Sequence, residues 1–189
     1  LVGYWKLNNN YEDSQTSGLN DLTAANTPVF YTDRPTWYAK ESSYVVDLEL
    51  SSTQYASIAD GSQTGLDFSA TLTLEAWVKP ESQPADAAIM YLICKDDQQA
   101  GNRAYQLFYR RQGADYKIIA SGFNNGDTDH FSFTHKLPTG EWTHIAMTYD
   151  FGNASATTFE CFVNGISLGN GTQVVASNIF TRVIIFYRI

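Results

Sequence analysis

Period-two alternation, restarting in one short run after another, constrains this chain more than any other feature. Side chains of an extended strand point alternately to opposite faces, whereas a helix brings every third or fourth residue onto one face. From Thr71 to Lys79, Leu72, Leu74, Ala76 and Val78 fall on one side, and Thr73, Glu75 and Trp77 on the other. Tyr105 to Arg111 alternates similarly. After Gln112-Gly-Ala-Asp115, the run Tyr116 to Ser121 sets Tyr116, Ile118 and Ala120 on one face, which predicts a hairpin. Phe159, Cys161 and Val163 alternate with Glu160 and Phe162 up to Asn164-Gly165, beyond which Ile166 and Leu168 continue. Asn-Gly suits a type I′ turn, whose two central residues both need positive φ. Trp142 to Tyr149 is apolar on both faces and predicts a central strand covered on both sides, with His144 as a hydrogen-bonded structural histidine. Trp77 and Trp142 are assigned to the core.

Breakers separate the runs: Pro80 and Pro84, Asn124-Asn-Gly-Asp127, Pro138-Thr-Gly140 and Gly169-Asn-Gly171. Many short strands divided by turn residues predict an all-β fold, an antiparallel two-sheet β-sandwich. Neither a repeat nor a linker-like stretch divides the chain, so one domain is expected over residues 1–189. Leu1 in place of an initiator Met reads as a segment of a larger protein.

Charge narrows the partners. The formal net charge is -8 and the pI about 4.7, so the basic footprint that displaces counterions from nucleic acid is missing. An anionic membrane surface is disfavoured for the same reason. The longest apolar run, Val183-Ile-Ile-Phe-Tyr187, is strand-sized and too short for membrane insertion. Cys94 and Cys161 lie in apolar runs, as small hydrophobes or as a disulfide pair; the sequence leaves both open.

With the strands laid out, several phrases resemble the laminin-G-like jelly-roll domains of the concanavalin A-like lectin and glucanase superfamily. They are Leu1-Val-Gly-Tyr-Trp-Lys-Leu7, Ser17-Gly-Leu-Asn-Asp-Leu-Thr23, Gln54-Tyr-Ala-Ser-Ile58, Thr73-Leu-Glu-Ala-Trp-Val-Lys79, Gly140-Glu-Trp-Thr-His-Ile-Ala-Met-Thr-Tyr-Asp150 and Phe162-Val-Asn-Gly165. The resemblance implies a jelly roll of two antiparallel sheets packed face to face, with the first and last strands adjacent. It also implies a calcium near the opening strands, which points to Asp13, Asn20 and Asp21 as metal ligands. The alternative is that Asp13 and Asn20 hydrogen-bond the turning backbone. A second oxygen-rich stretch, Asn124 to Asp129, suits a cation or a solvated turn. At the C-terminus, Thr181-Arg-Val-Ile-Ile-Phe-Tyr-Arg-Ile189 lacks the acidic pair that introduces the family's closing strand.

Laminarinase-type hydrolases share the implied architecture and place their carboxylates as Glu-x-Asp-x-x-Glu. Retaining chemistry needs two carboxyls about 5 Å apart. Asp47-Leu-Glu49 has the first spacing but continues as Leu50-Ser-Ser52. Zinc spacings and a phosphate-binding glycine loop are missing too. The chain is therefore expected not to be an enzyme. Sugar binding needs exposed aromatic faces with a few orienting polar groups. The candidates are Trp37 and Tyr38 after Arg34-Pro35, and Tyr105, Tyr109 and Tyr116 with Arg110 and Arg111 in the predicted hairpin; each aromatic also suits a core. The expectation is a binding or adhesion module of an extracellular or cell-surface protein that recognises glycan or glycoprotein, beside other domains of a parent chain. Its alternative is a structural spacer or protein-interaction domain without a ligand site.

Overall fold

In the computed structural model, the described residues are 1–15, 19–34, 44–68, 71–95, 105–124, 127–150, 159–174 and 184–185. Their strands are β1 (Thr23–Ala25), β2 (Val29–Tyr31), β3 (Val45–Asp47), β4 (Tyr55–Ser57), β5 (Thr71–Val78), β6 (Ile89–Lys95), β7 (Tyr105–Gln112), β8 (Asp115–Asn124), β9 (Asp127–Thr134), β10 (Thr143–Asp150), β11 (Glu160–Val163), β12 (Ile166–Asn170), β13 (Thr172–Val174) and β14 (Ile184–Ile185). They form an eight-stranded sheet in the order β1-β4-β14-β6-β7-β8-β9-β13, a four-stranded sheet β12-β11-β10-β5 and the hairpin β2-β3. Among the described residues, no helix is long and apolar enough to cross a membrane.

Alternation builds the layers. Leu72, Leu74, Ala76 and Val78 of β5, Ile145, Met147 and Tyr149 of β10, and Cys161 and Val163 of β11 face Met90, Leu92, Leu107, Tyr109, Ile118, Ala120, Phe131 and Phe133 of the larger sheet. Phe159 is wedged between the sheets, its ring 4.6 Å from that of Phe131, 5.9 Å from Phe133 and 5.2 Å from Tyr149. Gly122 lets Tyr149 lie flat on β8, since a Cβ there would meet the tyrosine ring at 2.1 Å.

The turns follow the residues that allow them. Asn164 and Gly165 have φ of 50° and 77°, the two positive values that a type I′ turn requires, and join β11 to β12. In the β7–β8 hairpin Gln112 pairs with Asp115, and Gly113 (φ 62°) takes the left-handed position. The stretch Asn124 to Asp129 lies mostly in the β8–β9 ladder, with Asn124 paired to Asp127 and residues 125–126 outside the described residues.

Three expectations change. The central strand β10 is buried on alternate residues only, so one of its faces is covered and the other is half exposed. Trp77 and Trp142 share that outer side and are half-buried, because the four-stranded sheet has a core on one face alone. The opening segment forms an isolated bridge, Trp5 to Asp13, in place of a strand. Strands β1 and β14 are separated by β4, which pairs with both. The reason lies in local bonding: Ser14 N–H donates to Tyr4 O at 2.6 Å, so the opening segment turns back on residues 13–14. Cys94 and Cys161 are both buried and are not joined in a disulfide.

A buried ammonium fixes the connection between β4 and β5. Lys95, at the end of β6, is 6% exposed and bonds Asp67, and Asp60 at 3.0 Å. Burial alone would lower the Lys95 pKa, but its two carboxylate partners outweigh that and hold it above the ordinary lysine value. The Lys95 bond, and then one from Gln63, hold Asp67 below the usual carboxylate range. Asp67 therefore stabilises the fold above its unfolded pKa, and the contribution is lost as pH falls through its folded value. Lys95 contributes below its unfolded pKa and loses that contribution as pH rises through its raised value.

Phe159→Ala is expected to cost about 3–5 kcal/mol, measured by urea unfolding, because it empties the space between the sheets. Asp67→Asn should lower Tm at neutral pH and flatten the loss of Tm below about pH 4, where the wild-type carboxylate is being protonated. A parallel acid-side curve in the variant would contradict the pairing.

Candidate functional site

Asp13, Asn20 and Asp21 come together under the opening segment. Asp13 Oδ1 accepts the N–H groups of Tyr4 at 2.9 Å and Gln15 at 3.0 Å, and Asp21 Oδ1 accepts the N–H of Asp13 at 2.8 Å. Asn20 Oδ1 accepts Thr64 N–H at 2.8 Å. Its Nδ2 donates toward Thr64 O at 3.1 Å, Val2 O at 3.4 Å and Asp13 Oδ2 at 3.4 Å. An N–H₂ group thus stands among these oxygens, and one oxygen of each side chain serves an N–H donor, so the trio forms a hydrogen-bonding anchor. It pins residues 2–4 to residue 64 across a long sequence separation. A different carboxylate set, Asp47, Glu49 and Glu81, brings one oxygen from each within 4.8 Å of the others, with Asp47 buried and both glutamates exposed. Those are the ligands that the described residues offer a divalent cation.

The anchored opening segment and β5 both line a cleft of about 540 Å³. The floor is apolar: Leu22, Ile58, Leu66, Phe68, Leu72, Leu74 and Ile93, with Tyr105. Glu75, Trp77 and His144 line its mouth.

From this mouth the outer face of the four-stranded sheet extends across β5, β10 and β11. His144 pairs with Trp77, Ala146 with Glu75 on one side and with Phe162 on the other. The Trp77 and His144 rings are 5.0 Å apart and tilted by 38°, and His144 Nε2 lies 3.6 Å from Glu75 Oε2. Asn164 Oδ1 accepts the His144 backbone N–H at 2.9 Å, which fixes that strand against the β11–β12 turn. Trp77, His144 and Phe162 are all half-buried. The face therefore combines flat apolar rings with a carboxylate and an imidazole, and the small Ala146 between them leaves a shallow floor.

The residues expected to bind sugar scatter. Tyr105 and Tyr109 are 4% and 1% exposed and belong to the core, so neither ring face is accessible. Tyr109 donates its hydroxyl to Gln83 Oε1 at 2.7 Å and accepts Leu137 N–H at 3.2 Å. Burial pushes its phenol up to about 12, against the smaller opposing pull of the Leu137 bond. Tyr116 lies at the rim, with Lys136 Nζ 4.9 Å and the Arg111 guanidinium 5.7 Å from its ring. Arg110 faces away from the core between Ile89 and Lys117. Trp37 and Tyr38 lie outside the described residues. The outer-face group of Trp77, His144 and Phe162 was missed. A signal for it exists, since alternation sets Trp77 opposite the Leu72–Val78 face, although a large aromatic ring also suits a core.

A family model described as the concanavalin A-like lectin/glucanases superfamily, of the laminin-G type, matches residues 50–185. No curated protein matches the chain in sequence. Among solved structures, the globular domain of T. cruzi calreticulin is similar at 19% identity and a TM-score of 0.43, over 81% of this chain and 57% of that one. The chain thus spans a little over half the length of that calreticulin domain. With the family match covering more than two thirds of its residues, the chain belongs to the laminin-G-like part of the concanavalin A-like lectin/glucanase superfamily.

Proposed function

We propose that this chain is a non-catalytic recognition module, carried by a secreted or cell-surface protein, that binds carbohydrate, free or on a glycoprotein. The supporting observation is the outer face of the four-stranded sheet, where half-exposed Trp77 lies against His144 with the Glu75 carboxylate beside them. A sugar presents an apolar C–H face to an aromatic ring and hydroxyls to neighbouring acceptors, and this face offers both within one strand spacing. Phe162, two strands across and two residues along from Trp77, gives a second ring at about 12 Å, room for an adjoining sugar unit. Membership of a superfamily of lectins and glucanases supports the ligand class. The non-catalytic reading rests on the missing Glu-x-Asp-x-x-Glu run. Binding to such a shallow face is weak per site, and several copies on one parent chain raise it through effective concentration.

Arg111 and Lys136, gathered over the Tyr116 ring, form a second, basic patch that favours acidic sugars. Calcium, in this reading, engages Asp47, Glu49 and Glu81 and acts on stability rather than on the sugar, since those residues are separate from the Trp77 face.

A glycan array of neutral and acidic oligosaccharides, run with calcium and then with chelator, tests the reading. Trp77→Ala should weaken binding by about tenfold or more, the scale of one lost stacking contact, and Phe162→Ala by a smaller factor for longer oligosaccharides. Chelation should lower Tm and leave the selected glycans unchanged. Silence across the array, or binding indifferent to Trp77→Ala, would refute the site. Release of reducing ends from β-glucans would refute the non-catalytic reading.

A further inference from the structure

Charge on the outer face of the four-stranded sheet is one-sided. Alternation sets Glu75 and Trp77 of β5, His144 and Asp150 of β10, and Glu160 and Phe162 of β11 away from the opposing sheet. Three carboxylates therefore share this face with one imidazole. Strands β5, β10, β11 and β12 contain neither lysine nor arginine. Lys79, next on the Trp77 side beyond the end of β5, bonds Asp33 at 2.6 Å, so its charge is already balanced.

Glu75 is the carboxylate that a sugar stacked on Trp77 meets. The two residues lie on one side of one strand, about 7 Å apart along it, and the Glu75 side chain is 65% exposed. Its imidazole neighbour, His144 Nε2, is 3.6 Å from Oε2, longer than an ordinary N–H···O bond, so Glu75 keeps acceptor capacity toward an incoming donor. Glu160 lies two residues from Phe162, and its Oε1 accepts the Ser167 hydroxyl at 3.3 Å, a neutral partner that leaves the negative charge in place.

A hydroxyl or an acetamide answers a carboxylate with a neutral donor. An ammonium answers it with a charge-assisted bond, about twice as strong. A stacked sugar also strips water from Glu75, which costs free energy unless a cation compensates. Carboxylated or sulfated sugars bring like charge against the three carboxylates and are disfavoured.

We infer that the Trp77 face selects cationic amino sugars, hexosamines whose nitrogen is unacetylated. Glu75 receives the ammonium of the unit stacked on Trp77, and Glu160 and Asp150 attract the ammonium groups of units that continue toward Phe162. The inference rests on the glycan reading of this face and names the sugar class for it. The preference is opposite in sign to that of the Arg111 and Lys136 patch.

The test titrates the intact chain by calorimetry with four β-linked oligomers of equal length, of glucosamine, N-acetylglucosamine, glucose and glucuronic acid, at a pH where the sugar amine is protonated. The glucosamine oligomer should bind about tenfold more tightly than the N-acetylglucosamine and glucose oligomers, the scale of one hydrogen bond to a charged group, with the glucuronic acid oligomer weakest. Glu75→Gln should bring glucosamine and N-acetylglucosamine within about threefold of each other, as a neutral amide removes the charge assistance. Trp77→Ala should weaken all the sugars that bind. Equal binding of the acetylated and unacetylated oligomers, or a preference unchanged by Glu75→Gln, overturns the inference, and the glycan reading stands if Trp77→Ala still weakens them. Displacement of the glucosamine oligomer by an oligolysine of the same charge at equal concentration also overturns it, because charge alone is then recognised. Silence toward all four sugars, or binding indifferent to Trp77→Ala, sinks the glycan reading and the inference with it.

Discussion

Contact between the two sheets through the Phe159 ring is the interaction on which the remaining architecture depends. The ring meets Phe131 and Phe133 from one layer and Tyr149 from the other. Edge and face contacts among aromatic rings are worth something beyond the area they bury. Here they also set how far apart the layers stand. Strands β5, β10 and β11 can present leucine, isoleucine, methionine and valine inward because the opposite layer is held at that distance. Gly122 belongs to the same arrangement, as any larger residue would lift Tyr149 off β8.

One-sided packing has a direct consequence for recognition. A four-stranded sheet with a core on one face must display every second residue on the other, so the alternation that buries Leu74 also displays Glu75, and the one that buries Ile145 displays His144. Core and recognition surface are two readings of one sequence pattern. The opening segment acts differently. It contributes little to the layers, yet through Asp13 and Asn20 it is tied to the loop before β5, and this tie defines a bank of the cleft. Lys95 restrains the same loop from the opposite side through Asp60 and Asp67.

How much was legible in the sequence depended on whether a feature was local. The β5 strand, the β7–β8 hairpin and the Asn164-Gly165 turn were readable because each is specified by neighbours within a few residues. The side of a strand that meets the core was readable as well, since Leu72 to Val78 declare it by type. What could not be read was coverage. Tyr105, Tyr109 and Tyr116 share a face of one hairpin, yet the first two are sealed and the third reaches the rim, because the depth of a residue is set by the opposing sheet. Trp77 is the converse case: its ring suits a core by type, yet it lies on the face of β5 turned away from the opposing sheet. The closeness of Asp13, Asn20 and Asp21 is legible because they lie within nine residues of one another, whereas the bonds from Asp13 to Tyr4 and from Asn20 to Thr64 depend on distant segments and are not.

The two cysteines carry one more implication. Both are enclosed, and burial pushes the Cys161 thiol up to about 12, far from the thiolate that attacks disulfides or alkylating reagents. The fold therefore owes nothing to a covalent cross-link and keeps the same chemistry in a reducing cytosol as in an oxidising exterior. The Cys161 sulfur, which lies between the sheets, forms a built-in reporter: it reacts only when the layers part, so the rate of its modification counts the openings of the folded chain.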